Sequence, residues 1–147
     1  MRIVKVTEEN LAQAGFIHSE SWQESHRGFC SAEFVDRHSP KAQTEYLRRE
    51  MAAGKQLWML IDKFPVGIVS VQESLIENLY VLPGQQRKGY GSRLLDYAIR
   101  QSEGNPSLWI LDNNMDALRL YERKGFRLTG KKLKLTEQLY ELEMELT

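Results

Sequence analysis

Glycines and cations are concentrated in one short stretch of the chain, residues 84 to 93. Glycines stand at positions 84, 89 and 91, and the cations are Arg87, Lys88 and Arg93. Glycine lets the backbone approach a ligand closely, and the free N–H groups and dipole of a helix start attract anions. Because a hydrophobic strand pattern precedes this stretch and an amphipathic helix pattern follows it, we expect a local site for a diphosphate-sized anion.

Two well-known phosphate-binding patterns do not match this loop. The dinucleotide-binding pattern needs a further glycine three residues after Gly91, where the chain has Leu94. The P-loop needs Gly-Lys followed by Ser or Thr, a tripeptide that the chain lacks. The alternative that remains open is a tight turn whose cations only increase solubility.

Hydrophobic periodicity places this loop among alternating strands and helices. We expect strands at residues 2–6, 56–62, 66–73, 75–81, 108–111, 126–136 and 138–146. We expect helices from Thr7 to about Trp22, from Ser31, from Pro40 to Gly54, over residues 91–103, and from Asn113 or Asn114 to Lys124. The strands from 56 to 81 read as an antiparallel meander, and a helix-strand-helix-strand run follows, so the pattern predicts an α+β or mixed α/β fold.

The length and charge of the chain limit its class. It has 147 residues, with 20 Lys plus Arg against 20 Asp plus Glu, which predicts a single domain over residues 1–147. The zero net charge disfavours nucleic acid or a membrane surface as a partner. The single Cys30 excludes an internal disulfide, and no apolar run has the length of a signal or a membrane span. We therefore expect a cytoplasmic protein.

The three histidines do not form a metal-binding pattern. His18, His26 and His38 are eight and twelve residues apart, without the i, i+4 pairing of a helical zinc site. We expect no bound metal.

The residues around the glycine loop match a known signature. Val81-x-Pro83 is followed by Gln86-x-x-Gly89-x-Gly91. This resembles the acetyl-CoA signature that follows strand four in the GNAT superfamily of acyltransferases.

A second motif lies where that family would place it. After the strand at 108–111 the chain reads Asn114-x-x-Ala117-x-x-x-Tyr121-x-x-x-Gly125-Phe126. Together with the strand order, the resemblance spans nearly the whole chain and is weakest from about residue 26 to 55. The two motifs in this order identify the chain as a member of the GNAT superfamily.

The resemblance implies a fold and an activity. The fold would be a central, mostly antiparallel sheet of six to seven strands with flanking helices, in which strands four and five splay apart around acetyl-CoA. The activity would be transfer of the acetyl group to a primary amine of a small molecule or peptide, by direct attack in a ternary complex. The alternatives are a non-catalytic acyl-CoA sensor of the same fold and an acyltransferase for longer acyl chains.

The resemblance also implies the residues that hold acetyl-CoA. Backbone of strand four would bind the pantetheine arm, amides of the loop would bind the pyrophosphate, and the second motif would line the thioester. These residues are Leu79, Tyr80, Val81, Gln86, Arg87, Lys88, Gly89, Tyr90, Gly91, Ser92, Asn114, Ala117 and Tyr121.

Two residues are candidates for proton transfer. By resemblance, the Tyr121 phenol lies near the thioester sulfur and can give a proton to the leaving thiolate. Glu77 is the candidate base, and regular strand alternation would place it on the same face as Leu79 and Val81. The structural alternatives are a core tyrosine, an exposed strand carboxylate and, for Asn114, a helix cap.

The acceptor side is predicted from the first helix. Residues 18–29 resemble a GNAT subgroup with a Trp-x-x-x-Tyr-x-Gly pattern, from which this chain departs at His26. Trp22, Glu24, His26 and Phe29 are the acceptor-lining candidates, and Glu24 could attract a cationic amine. The alternative for Trp22 is a place in the core.

Acidic residues alternate near the end of the chain. Glu141, Glu143 and Glu145 follow a period of two, which predicts one solvated strand face. We expect this face to flank the acceptor entrance or to serve as a homodimer contact.

Overall fold

The computed structural model describes all 147 residues as seven strands and five helices. The strands are β1 (Arg2–Lys5), β2 (Gln56–Asp62), β3 (Phe64–Gln72), β4 (Leu75–Val81), β5 (Ser107–Leu111), β6 (Phe126–Thr136) and β7 (Leu139–Leu146). The helices are α1 (Leu11–His26), α2 (Ala32–Asp36), α3 (Pro40–Ala52), α4 (Tyr90–Gln101) and α5 (Met115–Arg123).

All seven strands form one sheet in the order β1-β2-β3-β4-β5-β7-β6. Every neighbouring pair is antiparallel except β4 and β5, which run parallel. The predicted meander of β2, β3 and β4 and the mostly antiparallel mixed α+β sheet are therefore confirmed.

The sheet is buried on both faces, as alternating side chains of β2 show. Leu57 and Met59 pack into a cluster with α1 and α3, whereas Trp58 and Leu60 pack into a second cluster with α4 and α5. Each is at most 6% exposed, and burying an apolar side chain of this size contributes about 1.5–3 kcal/mol. Two apolar clusters thus fix helices on both sides of the sheet.

Capping side chains set two of the predicted helix starts. Ser39 accepts a hydrogen bond from the Ala42 N–H at 3.1 Å, just before Pro40 opens α3. Asn114 caps α5 in the same way. Helix α1 differs from the expectation, since it starts at Leu11 and continues four residues beyond Trp22 to His26. The residues between Trp22 and Gly28 include neither glycine nor proline, so nothing there ends the helix early.

Helices α1 and α3 approach each other closely at Gly15. A Cβ at this position would lie 2.8 Å from Thr44 Cα, so a side chain there would push α3 away from α1.

The longest helix, α1, has 16 residues, and none of the five helices has the length and hydropathy of a membrane span.

The parallel strands β4 and β5 separate almost at once. Their only register pair is Leu75 with Ser107, at the start of both strands. Each strand leads into a helix, β4 into α4 and β5 into α5. The predicted splay of strands four and five is thus present, and it opens a gap toward Val81 and Leu111.

Candidate functional site

A cavity of about 750 Å³ extends from the glycine loop into the gap between β4 and β5. Leu79 and Val81 line it from β4, and Leu111 lines it from β5. Its outer end is formed by the loop and the start of α4, including Gln86, Arg87, Gly89, Tyr90, Gly91 and Ser92. The chain therefore brings most of the predicted cofactor residues to one opening.

The backbone of this loop offers unpaired donors. None of the N–H groups of residues 86 to 92 donates a hydrogen bond within the protein, and the first donor after the loop is Arg93, to the Gly89 carbonyl. Gly89 occupies the N-cap position of α4 with φ +85°, and no side chain caps the helix. Seven consecutive free N–H groups at a helix start fit a phosphate-bearing ligand.

Cations from two elements surround this opening. Arg87 comes from the loop, and Arg119 and Arg123 come from α5, four residues apart on one helix face. Arg87 lies 3.8 Å from Asp116, but both side chains are highly exposed, so this ion pair is weak. Sequence reasoning missed the α5 arginines, although their i, i+4 spacing was a signal. The local charge agrees with the predicted anion site.

The Gln86 side chain binds protein as well as lining the cavity. Its Nε2 donates to the Val81 carbonyl at 3.2 Å, and Ser21 Oγ of α1 donates to the same oxygen at 3.2 Å. Gln86 therefore ties the loop to the end of β4.

A second cavity of about 410 Å³ continues through the gap to the other face of the sheet. Trp22 and His26 of α1 line it there, together with Glu77 of β4, Trp109 of β5 and Glu141 of β7. No Lys or Arg lines this cavity, and its carboxylates are Glu77 and Glu141. Its charge is therefore opposite to that of the cationic opening at the glycine loop.

The two cavities share their central walls. Asn114, the N-cap of α5, and Ala117 and Tyr121 of α5 line both, opposite Leu79 and Val81 of β4. The sequence prediction that these three side chains face one site is consistent with this arrangement. Asn114 has a structural role in addition, because its Oδ1 accepts from the Ala117 N–H at 3.1 Å.

Tyr121 is buried at this junction, 8% exposed, and its ring packs against Phe126. Its hydroxyl has no hydrogen-bond partner within the protein. Burial raises the pKa of Tyr121 above its ordinary value, with a smaller contribution from Tyr80. The phenol is therefore protonated at neutral pH and able to donate.

The expected alternation of β4 is wrong. Asn78 adopts φ 52°, and the register with β3 shifts at this point, so Ser70 lies opposite Glu77 while Ile68 lies opposite Tyr80. The bulge places Glu77 on the face of α1 and α3 with Tyr80, whereas Leu79 and Val81 pack into the α4 and α5 cluster. The signal was an asparagine inside a strand, a residue that tolerates positive φ.

Glu77 also has a cationic partner that the sequence did not reveal. Lys55 Nζ donates to the Glu77 carboxylate and, at 2.5 Å, to Glu50 Oε1. Tyr46 Oη donates to the same Glu50 oxygen at 3.0 Å. Glu77 thus lines the second cavity as part of an ion-paired cluster.

The four predicted acceptor residues divide between the two cavities. Trp22 and His26 line the second cavity, whereas Glu24 and Phe29 line the first. Trp22 is stacked between His26 and His38, with ring centroids 3.8 and 3.5 Å away. It is therefore held at the cavity wall by α1 and the connection between α2 and α3 rather than in the core.

The remaining predicted residues lie close by. Tyr80 lines the second cavity and packs edge-on against His18, and Lys88 donates to Gln85 Oε1 at 3.0 Å on the exposed loop. No three His, Cys, Asp or Glu side chains are arranged to hold a metal ion.

The fold and the two cavities fit a transferase that holds a phosphate-bearing donor on one side of an opened sheet and its acceptor on the other. The family model described as "Acetyltransferase (GNAT) domain" matches residues 53–128, more than half of the chain. A protein of Mycobacterium tuberculosis named as a probable N-acetyltransferase is 28% identical over 127 residues, which are 78% of this chain and 73% of that protein.

Two solved structures have the same fold. The PaiA N-acetyltransferase of Thermoplasma acidophilum, in complex with coenzyme A, has a TM-score of 0.73 at 18% identity, over 99% of this chain and 98% of the other. YncA of Salmonella typhimurium, with its cofactor acetyl-CoA, has a TM-score of 0.72 at 19% identity, over 100% and 93%. The chain belongs to the GNAT acetyltransferase family, and the expectation of an acetyl-CoA-dependent acyltransferase is confirmed.

Proposed function

We propose that this chain transfers the acetyl group of acetyl-CoA to a primary amine by direct attack within a ternary complex. The observation that supports it is the meeting of two cavities of opposite charge at the Tyr121 phenol. A ternary complex needs separate places for donor and acceptor that join at the reacting atoms. The arrangement of the two cavities meets that need.

The cationic opening at the glycine loop suits acetyl-CoA. The free N–H groups of residues 86 to 92 would bind the pyrophosphate, and Arg119 and Arg123 would face the remaining phosphate charge. Leu79, Val81, Asn114 and Ala117 would enclose the pantetheine arm in the gap. When bound, acetyl-CoA supplies an activated acetyl carbon and a thiolate leaving group, so an N–C bond forms as the C–S bond breaks.

Tyr121 would act as the proton donor to the leaving sulfur. It is protonated at neutral pH and has no protein partner to release before donating. Positioned acid catalysis of this kind contributes about 10²–10⁴-fold to a rate.

A thiol-release assay with acetyl-CoA and a panel of primary amines tests the proposal. We expect release with at least one amine, and we expect Tyr121→Phe to lower kcat by about 10²-fold. Because the phenyl ring is retained, calorimetry should give the same coenzyme A affinity for Tyr121→Phe and the wild type.

The opposite result has a clear meaning. Tight coenzyme A binding without thiol release for any amine would contradict the proposal and support a sensor of the same fold. Faster release from a longer acyl-CoA than from acetyl-CoA would support the longer-chain alternative.

A further inference from the structure

Glu141 is a carboxylate of the second cavity that has no partner. It is the third residue of β7, opposite Leu111 of β5 and Leu133 of β6. No hydrogen bond or ion pair in the protein involves its side chain, although it is only partly exposed. Its oxygens are therefore available to a ligand in the cavity.

The other carboxylate of this cavity, Glu77, already has a cationic partner. Lys55 is mostly buried, and it pairs with both Glu77 and Glu50. An ammonium ion entering the cavity would have to compete with Lys55 for Glu77, whereas Glu141 has no competing cation. The unpaired carboxylate of Glu141 is thus the more accessible ammonium site.

The groups facing Glu141 from the surrounding elements include no cation. Strand β4 brings Glu77 and Tyr80, helix α1 brings His26, and α5 brings Tyr121. Strands β5 and β6 contribute apolar walls.

Those walls are Trp109 and Leu111 of β5 and Leu135 of β6. Of the β6 cations, Lys132 and Lys134 pair in register with Leu142 and Tyr140, on the other face of the hairpin from Glu141, and the exposed Arg127 and Lys131 lie outside the cavity. Trp109, Leu111 and Leu135 thus give the cavity an apolar wall beside Glu141, and carboxylates are its charged groups.

We infer that Glu141 binds the ammonium group of the acceptor and takes its proton, and that the acceptor is a primary amine on an apolar body without a carboxylate beside the nitrogen. This inference rests on the proposed function, and it names the substrate class and the base. An acceptor carboxylate would lie among Glu77 and Glu141 with no cation to pair with it.

The acceptor nitrogen loses two protons during the transfer. The ammonium N–H bond breaks, the electron pair stays on nitrogen for attack on the acetyl carbon, and Glu141 passes the proton to solvent. The nitrogen loses its second proton once the N–C bond has formed. That second proton balances the one that Tyr121 gives to the leaving sulfur.

The environment of Glu141 suits this role. Burial raises the pKa of Glu141 above its ordinary value, and the charge of Glu77 raises it further. A base of raised pKa accepts a proton more readily, and its protonation causes activity to fall on the acidic side of the pH profile. Removing the Glu77 charge should lower the pKa of Glu141 and shift that fall to lower pH.

Three glutamate variants test the inference with 2-phenylethylamine as acceptor. We expect Glu141→Gln to lower kcat/KM by about 10²-fold at pH 7 and to abolish the acidic fall. We expect Glu77→Gln to keep the acidic fall but to shift it to lower pH. Glu145→Gln is the matched control, since Glu145 lies on the same face of β7 but outside both cavities.

A binding measurement separates chemistry from folding. Calorimetry with coenzyme A should give the same affinity for Glu141→Gln, Glu145→Gln and the wild type, because Glu141 does not line the cavity with the cationic opening. Loss of activity together with loss of coenzyme A affinity in Glu141→Gln would indicate a structural role and overturn the inference.

Matched acceptors test the substrate class. 2-Phenylethylamine and L-phenylalanine differ by one carboxylate, and we expect acetylation of the former to be at least about 10-fold faster at equal concentration, since like charges in such a cavity repel. Faster acetylation of L-phenylalanine or spermidine than of 2-phenylethylamine would overturn the inference. An unchanged pH profile in Glu141→Gln together with loss of activity in Glu77→Gln would also overturn the inference, because it would identify Glu77 as the base. A wild type that acetylates none of the three acceptors but does acetylate another amine of the panel would overturn this inference alone, whereas no release with any amine would overturn both proposals.

Discussion

Gly89 and Arg87 are neighbours in the glycine loop, and both have positive φ, but they contribute differently. Gly89 at φ +85° directs the start of α4, and Arg87 at φ 66° projects an exposed side chain. A loop that binds by its backbone depends on the first of these more than on the second. The conformation of residue 89 therefore matters more to the anion site than the charge of residue 87.

Replacing Gly89 by valine should weaken coenzyme A binding strongly. A β-branched residue at positive φ costs about 1–3 kcal/mol, and relieving that strain would move the N–H groups of residues 90 to 92. We expect calorimetry to show a loss of at least about 10-fold in affinity. Arg87→Ala should lose only a few-fold, and the loss should shrink at high salt.

Gly104→Val is the matched control. Gly104 has φ +70° just beyond α4, outside both cavities and with open space around it. It should lose comparable stability in thermal unfolding while keeping coenzyme A affinity. An Arg87→Ala variant weaker than Gly89→Val would show that the charge of Arg87 dominates.

At the residue scale, sequence reasoning was strongest where a motif defines a local backbone. Gly89, Gly91 and Tyr121 were predicted because the two motifs have fixed spacing. Glu141 was predicted as part of a solvated face that flanks the acceptor entrance or a dimer contact, but not as a residue of the cavity itself, since its approach to β4 depends on pairing between β7 and β5. Sequence spacing alone does not give that distance.

The bulge in β4 depends on side chains from four elements. Asn78 Nδ2 donates to Ser70 Oγ of β3 at 3.0 Å, and Asn78 Oδ1 lies 3.2 Å from His18 Nε2 of α1. Gln43 Nε2 of α3 donates to His18 Nδ1 at 2.8 Å, so the ring proton lies on Nε2 and is donated to Asn78. A neutral His18 therefore links two helices to the bulge that orients Glu77.

This network predicts acid sensitivity. Burial lowers the pKa of His18 to about 4, despite the hydrogen bond with Asn78. Between that value and the ordinary pKa of 6.5, the unfolded chain binds more protons than the folded one, so stability rises with pH there. We expect His18 to add a slope of at most about 1.4 kcal/mol per pH unit.

Urea unfolding at pH 7 and pH 5 tests this slope. Wild type should lose more stability than His18→Gln when the pH is lowered, although His18→Gln is less stable at pH 7. An equal loss in both proteins would mean that His18 is not the titrating group.

At the element scale, the strands and four of the helices were predicted to within a few residues. Their signals are local, such as the Ser39 cap before Pro40 and the alternation in β2. The bulge at Asn78 could not be placed in the same way, because it is stabilised by residues 8 to 60 positions away in sequence. The expected face of Glu77 was wrong for that reason.

The whole sheet is least connected where the ligand is expected to bind. Strands β4 and β5 pair only at Leu75 and Ser107, and the far half of the gap has no interstrand ladder. A ligand that bridges the gap would add contacts that the protein itself does not make there.

Coenzyme A should therefore protect the gap from hydrogen exchange. We expect slower exchange in peptides covering residues 79 to 92, and little change in β2, which is already paired on both edges. Mass spectrometry with and without coenzyme A measures this. Equal protection across β2 and the gap would indicate general stabilisation instead of a ligand in the gap.

The order of the strands also has a consequence for biosynthesis. β7 is the last strand in the sequence, yet it lies between β5 and β6. On the ribosome, β5 and β6 must wait with unpaired edges until residues 139–146 emerge, and such edges can pair with other chains. The emergence of β7 therefore closes two strand edges that would otherwise be open to aggregation during synthesis.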